Sequence, residues 1–258
     1  MGLNGKVCVV SGSSTGVGAA CAVGLARKGY HVVVNYTRSE ADAYATLAQC
    51  QAVGAEAILV QGDVAIDDDC RRIARSALER WGRIDALINN AGITKFAAAT
   101  DLEALSAEDW QRVYAVNVIG AYQMIRACVP AMQTAGAGTV VNISSMAGLT
   151  GLGTSTAYVA SKGAMNAMTL ALARALAPVI RVNAVAPGLV DTRWHLDRFS
   201  DQAAYQTFLD SYKASVPLAK VARAEDVADV AIWLLEGASH ITGEIIMVDG
   251  GRRLGKSP

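Results

Sequence analysis

The 258-residue chain has no excess of either charge: 23 Lys and Arg stand against 23 Asp and Glu. Nucleic-acid binding needs a basic footprint, and anionic membrane surfaces need a polybasic patch, so this balance argues against both. Close cysteine pairs are also missing. Cys8, Cys21, Cys50, Cys70 and Cys128 are odd in number and contain no CxxC. Zinc sites draw on close ligand pairs, so no metal is expected, and the five read as reduced, buried thiols. No charged start followed by an apolar run opens the chain, so no secretory signal is expected. Met1-Gly2 lacks the Ser or Thr at position 6 of a myristoylation start; Lys6 stands there. No long apolar stretch is free of charge either. Ala157–Ala186 carries Lys162, Arg174 and Arg181, which a membrane span of about 20 residues rarely tolerates. These absences point to a cytoplasmic protein.

Apolar material is plentiful, with 52% hydrophobic and 18% charged residues. A chain of this length can remain one α/β domain, here residues 1–258. Short β-branched runs alternate with alanine-rich amphipathic stretches. Strands are expected at Lys6–Ser11, His31–Tyr36, Ala57–Gln61, Ile84–Asn89, Thr139–Ser144, Ile180–Ala186 and Glu244–Val248. Helices are expected at Gly16–Lys28, Glu40–Val53, Asp67–Trp81, a long region over Leu102–Thr134, Ala157–Ala177 and Glu225–Leu235. Runs such as Val32-Val33-Val34 are apolar without alternation, as in strands covered on both faces. Gly29, Gly54 and Gly82 can close helices in the left-handed conformation. Strand–helix alternation implies right-handed βαβ crossovers. The expected fold is a single-domain, Rossmann-type, doubly wound parallel sheet of about seven strands flanked by helices.

The first strand runs into Gly12-Ser13-Ser14-Thr15-Gly16-Val17-Gly18. Gly12 can turn sharply, Gly16 can let backbone approach a pyrophosphate, and Gly18 can let the helix pack closely. The helix N-terminus would then present free N–H groups to phosphate. The spacing is GxxxGxG rather than GxGxxG. The second strand ends in Asn35-Tyr36-Thr37-Arg38, without the carboxylate that binds the ribose of NAD. Arg38 can pair with a 2′-phosphate, which favours NADP(H), with NAD(H) the alternative. Arg38 as a solvated surface charge is the competing reading.

Tyr158-Val159-Ala160-Ser161-Lys162 opens a predicted helix. Tyr158 and Lys162 are four residues apart and share a face. A tyrosine with a pKa near 10 is a poor proton carrier at neutral pH, and a nearby ammonium lowers that value. Ser145, just after a strand, can bond a carbonyl oxygen, or simply cap a turn. Asn117 is polar within an apolar stretch; it anchors a water or bends the helix beside Lys162, or is a satisfied buried amide.

Gly12–Gly18, Asn89-Asn90-Ala91-Gly92, Asn117, Ser145, Tyr158-x-x-x-Lys162 and Pro187-Gly188 follow one another in order. In this the chain resembles the classical short-chain dehydrogenase/reductase family over nearly its whole length. The look is nearest to its 3-oxoacyl-[acyl-carrier-protein] reductase branch, through Asn89–Thr94. The resemblance implies that Tyr158 gives the proton, Lys162 holds the nicotinamide ribose, Ser145 orients the substrate oxygen and Asn117 supports a water relay. It implies that Asp63 and Val64 hold the adenine. Asn90, Ala91 and Gly92 would contact the adenosine-side ribose, and Pro187, Gly188, Val190 and Thr192 would line the nicotinamide. Ser14, Thr15 and Val17, with Asn35, Tyr36 and Thr37, complete the expected cofactor contacts. Two positions depart from the pattern. Thr15 replaces a basic residue common in NADP-dependent relatives, so the NADP(H) reading rests on Arg38; Ser11 replaces a threonine.

The resemblance also implies a substrate lid at about 193–218, with Trp194, His195, Leu196, Phe199, Tyr205 and Phe208. His195 is read there as a lid-surface residue. Ser145, Met146, Tyr158, Leu189 and Trp194 are the expected substrate contacts, for a largely hydrophobic carbonyl or alcohol. A small ketone, keto-ester, sugar or steroid-like alcohol all fit. Val129–Val141 contains no Lys or Arg, which argues against docking of an acidic carrier protein. The family resemblance implies a homotetramer through the long helices, the second presenting Ala164, Ala167, Ala171 and Ala175. Burial of those alanines against their own sheet is the competing reading. A non-enzymatic NADP(H)-binding regulator on the same scaffold is the alternative function.

Overall fold

A computed structural model describes residues 5–196 and 199–255. The Met1-Gly2 start, lid residues 197–198 and the chain end at 256–258 lie outside the described residues, as does the side chain of Leu196. Seven strands form one sheet: β1 (Val7–Val10), β2 (His31–Tyr36), β3 (Ala57–Gln61), β4 (Ala86–Asn89), β5 (Gly138–Ile143), β6 (Ile180–Pro187) and β7 (Ile245–Val248). Their order is β3-β2-β1-β4-β5-β6-β7, with every pairing parallel. β1 is an interior strand: Val10 pairs with Val34 on one side and with Ile88 on the other. The chain winds outward from β1 to β3, then crosses to β4. The crevice at that reversal lies beyond the carboxyl ends of β1 and β4, where ligands of such sheets bind.

The sheet is covered on both faces, which is why its strands are apolar throughout. Cys8, Val10, Val32 and Val34 face a core shared with Leu25, Ala231 and Leu234. Val7, Val9 and Val33 face the other, with Ile73, Met124 and Met132. α1 (Gly16–Arg27), α2 (Glu40–Ala52), α3 (Asp67–Trp81), α4 (Ala107–Tyr114), α5 (Ala121–Thr134), α6 (Ala147–Thr150) and α7 (Thr156–Leu176) follow in order. α8 (Arg193–Leu196), α9 (Gln202–Ser215) and α10 (Ala224–Glu236) complete the set. Each fully buried Leu or Ile stabilises by about 1.5–3 kcal/mol, so two such cores supply the main force holding helices to sheet.

The long helical region expected over Leu102–Thr134 is broken. A 3₁₀ turn at Leu102–Ala104 precedes α4, and a π-helical turn at Ala115–Gly120 separates α4 from α5. Ser106 starts α4 through a reciprocal capping box with Asp109. In the π turn, the side chain of Asn117 bonds the main chain of Ile93 in the loop after β4, and Gly120 passes so close to Val64 that a Cβ would lie 2.7 Å from its Cγ2. These side contacts widen the helix locally. The segment after Thr192 carries two helices, α8 and α9. Asp201 caps the second by accepting the Ala204 N–H at 2.8 Å.

Candidate active site

Beyond β1 the chain turns at Gly12, whose φ is +59° and whose Cβ would lie 2.8 Å from Ala91 Cα. Only glycine satisfies both the conformation and the approach. Asn35 locks this loop: its Oδ1 accepts the Gly12 N–H at 2.9 Å, and its amide donates to Val60 and Gly62 oxygens. Asn90 locks it from β4, donating to the main-chain oxygens of Ser11 and Gly12 at 3.1 and 2.8 Å. The Ser11 hydroxyl in turn accepts the N–H groups of Asn90 and Ala91. Gly18 lets α1 sit on this construction; a Cβ there would lie 2.4 Å from Asn90 Nδ2. The first turn of α1 has no acidic residue, and the Thr15 side chain makes no cap bond. Its N–H groups and positive dipole end therefore face the crevice, as phosphate binding requires.

At the other end of the crevice, Ser155 caps α7 by accepting the N–H of Tyr158 at 3.3 Å. Lys162, one turn on, is 3% exposed, and its Nζ donates to the main-chain oxygen of Ile143 at 2.8 Å. The same Nζ lies 5.7 Å from the centroid of the Tyr158 ring. Burial pulls Lys162 down to about 8. Loss of solvent pushes the Tyr158 phenol up to about 12, with a hydrogen bond from Ser145 opposing the rise. The expected lowering of the phenol by Lys162 is therefore corrected. Surroundings of low polarity favour the neutral form of each group.

Asn117 is fully buried in the π turn. Its Oδ1 accepts the Ile93 N–H at 2.8 Å, and its Nδ2 donates to Ile93 O and Ser161 Oγ at 2.9 and 3.0 Å. Ser161 passes the link on, donating to the Tyr158 main-chain oxygen at 2.7 Å. The Asn117 side chain thus joins the π turn to the loop after β4 and to the Tyr158 helix through three hydrogen bonds.

One cleft of about 1230 Å³ connects the two ends. Gly12, Ser14, Thr15, Gly16, Val17, Tyr36, Thr37, Arg38, Asp63 and Val64 line it on the glycine-loop side. Asn90, Ala91, Gly92, Ser145, Tyr158, Lys162, Pro187, Gly188, Val190, Thr192 and Trp194 line the rest.

A family model described as "Enoyl-(Acyl carrier protein) reductase" matches residues 12–253. The chain is 39% identical over 248 residues to "Granaticin polyketide synthase putative ketoacyl reductase 2" of Streptomyces violaceoruber, covering 96% of each. It is 36% identical to the 3-oxoacyl-[acyl-carrier-protein] reductase of a Synechocystis strain, over 96% of this chain and 97% of that one. A crystal structure from Burkholderia xenovorans, classed as a short-chain dehydrogenase/reductase, superimposes with a TM-score of 0.91 at 41% identity, covering 97% and 98%. The chain belongs to the short-chain dehydrogenase/reductase family. It is an oxidoreductase, of a family that uses a nicotinamide cofactor on alcohol and carbonyl groups, and the reading as a non-enzymatic regulator is set aside.

In this short-chain dehydrogenase/reductase, five expected site residues are not among those lining the cleft. Gly18, Asn35 and Asn117 stand behind it, shaping the loop and the wall. Met146 and Leu189, expected at the substrate, are each 8% exposed and pack beneath. His195, expected on the lid surface, instead lines the cleft half-buried, its ring 6.1 Å from those of Phe96 and Phe208. Sequence reasoning missed several lining residues. Arg112 bonds the Asp63 carboxylate at 2.9 Å. Burial raises that carboxyl, but the Ala65 N–H, Arg112 and Arg38 outweigh it and hold Asp63 below its ordinary value. Arg193 pairs with Asp42 at 2.8 Å across the cleft, from α8 to α2. Phe96 and Thr94 follow the Asn-Asn-Ala-Gly turn, and that position after a strand end is the one signal that could have found them.

Proposed function

We propose that the protein is an NADP(H)-dependent ketone reductase and secondary-alcohol dehydrogenase, with Tyr158 as the general acid and base. The carrying observation is one continuous cleft with an uncapped helix N-terminus at one end and Ser145, Tyr158 and Lys162 at the other. The residues present fit a nicotinamide dinucleotide: the first turn of α1 offers N–H groups without a competing carboxylate, at the mouth of a long cleft. Bound there, the nicotinamide supplies a hydride to the carbonyl carbon, or takes one from the alcohol.

The chain's own residues do the rest. Ser145 and Tyr158 orient the substrate oxygen by hydrogen bonds. In reduction the Tyr158 hydroxyl gives its proton to that oxygen. Lys162, which lines the same cleft, would hold the nicotinamide ribose. Asp63 and Val64 hold the adenine end, Asn90, Ala91 and Gly92 the adjacent ribose, and Pro187, Gly188, Val190 and Thr192 the nicotinamide. The NADP(H) preference rests on Arg38, which is exposed in the cleft and makes no carboxylate ion pair among the described residues.

α8 and α9, over about 193–218, act as the substrate lid. Relatives include a 3-oxoacyl-[acyl-carrier-protein] reductase, so the reaction is of that type; the lack of Lys and Arg over Val129–Val141 disfavours a carrier-bound substrate. The assembly is a homotetramer. Ala167, Ala171 and Ala175 of α7 are exposed rather than buried on their own sheet, beside the exposed Leu170. Balanced charge and five buried free thiols suit the cytoplasm, and no helix among the described residues is long and apolar enough to cross a membrane.

A panel of ketones and secondary alcohols with NADPH, NADH and their oxidised forms tests the reading. Turnover is expected with NADPH, and Tyr158→Phe should abolish it while cofactor still binds. Undiminished turnover in that variant would refute the role of Tyr158. Sedimentation as a monomer at micromolar concentration would refute the tetramer.

A further inference from the structure

The two ends of the cleft differ in kind. Toward the glycine loop and the ends of β2 and β3 stand Arg38 and two ion pairs, Arg112 with Asp63 and Arg193 with Asp42. Around Tyr158 the lining consists of Ile93, Thr94, Phe96, Ser145, Trp194 and His195. None of these six is a Lys, Arg, Asp or Glu; the charge that does stand near Tyr158 is Lys162, whose buried Nζ lies 5.7 Å from the Tyr158 ring centroid and is bonded to the Ile143 oxygen. A carboxylate or phosphate turned toward Phe96, Trp194 and His195 would be desolvated against rings with no counter-charge among them, which is costly.

Aromatic rings replace charge. Trp194 approaches Tyr158 with ring centroids 6.1 Å apart and planes tilted by 53°. Phe96 and His195 stand 6.1 Å apart at 55°. Behind His195, Phe208 packs at 6.1 Å and is itself backed by Phe199 at 5.1 Å. The wall is therefore supported from behind. Its front is open: Trp194 remains 38% exposed and Phe96 36%, although both line the cleft. Part-exposed rings beside the phenol, on a backed surface, offer edges and faces to a flat guest.

We propose that the physiological substrate is a neutral ketone, or the matching secondary alcohol, carrying an aromatic or flat conjugated ring next to the reacting carbon. This rests on the reductase reading above. The oxygen bonds Ser145 and Tyr158, and the ring lies against Trp194 and Phe96. Reduction converts C=O to CH–OH: carbon gains the hydride that the reduced cofactor supplies, and oxygen gains the phenolic proton, which solvent restores to Tyr158. Each aromatic contact contributes about 0.5–1.5 kcal/mol beyond the area it buries, or about two- to tenfold in affinity.

The test compares 1-phenylethanone, octan-2-one and 2-oxooctanoate under saturating NADPH and NADH. Wild-type kcat/KM should favour 1-phenylethanone over octan-2-one by about tenfold, with the oxo acid poorest. Trp194→Leu and Phe96→Leu should each lower the ratio of phenyl to alkyl kcat/KM by about two- to tenfold. Both sites are part-exposed, so the variants should fold, checked by circular dichroism. As a second readout, 1-phenylethanone with oxidised cofactor should quench tryptophan fluorescence in the wild type and lose most of that quenching in Trp194→Phe. An alkyl preference, a ratio unmoved by either leucine variant, quenching unchanged in Trp194→Phe, or preference for the oxo acid overturns the substrate class and leaves the reductase reading standing. No turnover of any ketone or alcohol by a cofactor-binding, folded chain overturns the reductase reading, and the substrate class falls with it.

Discussion

Lys162 and Ile143 are joined by a 2.8 Å hydrogen bond from the side-chain nitrogen to the main-chain oxygen, almost out of reach of solvent. The bond comes from a strand end and a helix one crossover apart, and it aims the lysine at the cleft floor. It also fixes a cost, because the cation is held where water cannot reach it.

Lys162 is therefore expected to make stability pH-dependent. Its folded value of about 8 lies below the ordinary 10.5. Below about pH 8 both states hold the proton and the full penalty is present. Between about 8 and 10.5 only the unfolded state holds it, so stability rises with pH; above that the penalty is gone. The drop corresponds to about 3 kcal/mol. Urea unfolding of the cofactor-free protein at pH 7 and pH 10 should show wild type gaining by up to that amount relative to Lys162→Met. A difference between the two proteins that does not change with pH would contradict the buried-cation account.

The oxidation direction should respond to pH through Tyr158. Proton acceptance needs the phenolate, and loss of solvent raises the phenol to about 12 in the cofactor-free chain. Alcohol oxidation should accordingly climb by up to about tenfold per pH unit on the alkaline side, while ketone reduction stays level or falls. Parallel kcat/KM profiles in both directions check this. Two superimposable profiles would argue against a shared tyrosine.

Asn117→Ala should cost about 2–4 kcal/mol, since it strands the Ile93 N–H and breaks the link to Ser161. Ser161→Ala removes one bond from Asn117 and one to the Tyr158 oxygen, and should lower stability by about 1–2 kcal/mol. Ser161 acts through Tyr158, so its loss should depress kcat while the cofactor Kd holds. Thermal melts with cofactor titration separate the two effects; equal losses in kcat and affinity would make Ser161 a merely structural contact.

Gly18→Ala should weaken cofactor binding although Gly18 does not line the cleft. Its Cβ would meet Asn90 Nδ2 at 2.4 Å and Gly12 O at 2.5 Å, so α1 must shift at a cost of about 1–3 kcal/mol. A dissociation constant and melting temperature equal to wild type would show that the loop yields.

Arg38→Ala should lower NADPH affinity by about 10–100-fold, the worth of charge-assisted bonds to a phosphate. NADH affinity should change far less, and the wild-type preference should weaken as salt is raised. Isothermal titration at two ionic strengths reads both; equal losses for the two cofactors would return Arg38 to the solvated surface.

Most of the frame was legible in the chain because its signals are local. β-Branched runs without alternation mark covered strands, and Gly29, Gly54 and Gly82 take the positive φ that ends a helix. The glycine loop and Tyr158-x-x-x-Lys162 could be placed in the cleft from their spacing and their order along a doubly wound sheet. The π turn was not legible, because it is made by Asn117 reaching Ile93 and by Gly120 yielding to Val64. Nor were the ion pairs Arg112–Asp63 and Arg193–Asp42, whose members are brought together only when separate crossovers fold onto one sheet edge.

The sequence by itself thus determined the strand and helix order, the glycine turn beyond β1 and the pairing of Tyr158 with Lys162 one helical turn apart. Only the tertiary structure decided three further things. It turned the small face of α7 outward, with Ala167 and Ala171 exposed. It committed the Asn117 amide to the wall of the site, and it gathered Phe96, Trp194 and His195 at the Tyr158 end of the cleft. The reason is physical: backbone preference acts between neighbours in the chain, whereas burial, charge pairing and the pKa values of Tyr158 and Lys162 depend on what distant segments place around them.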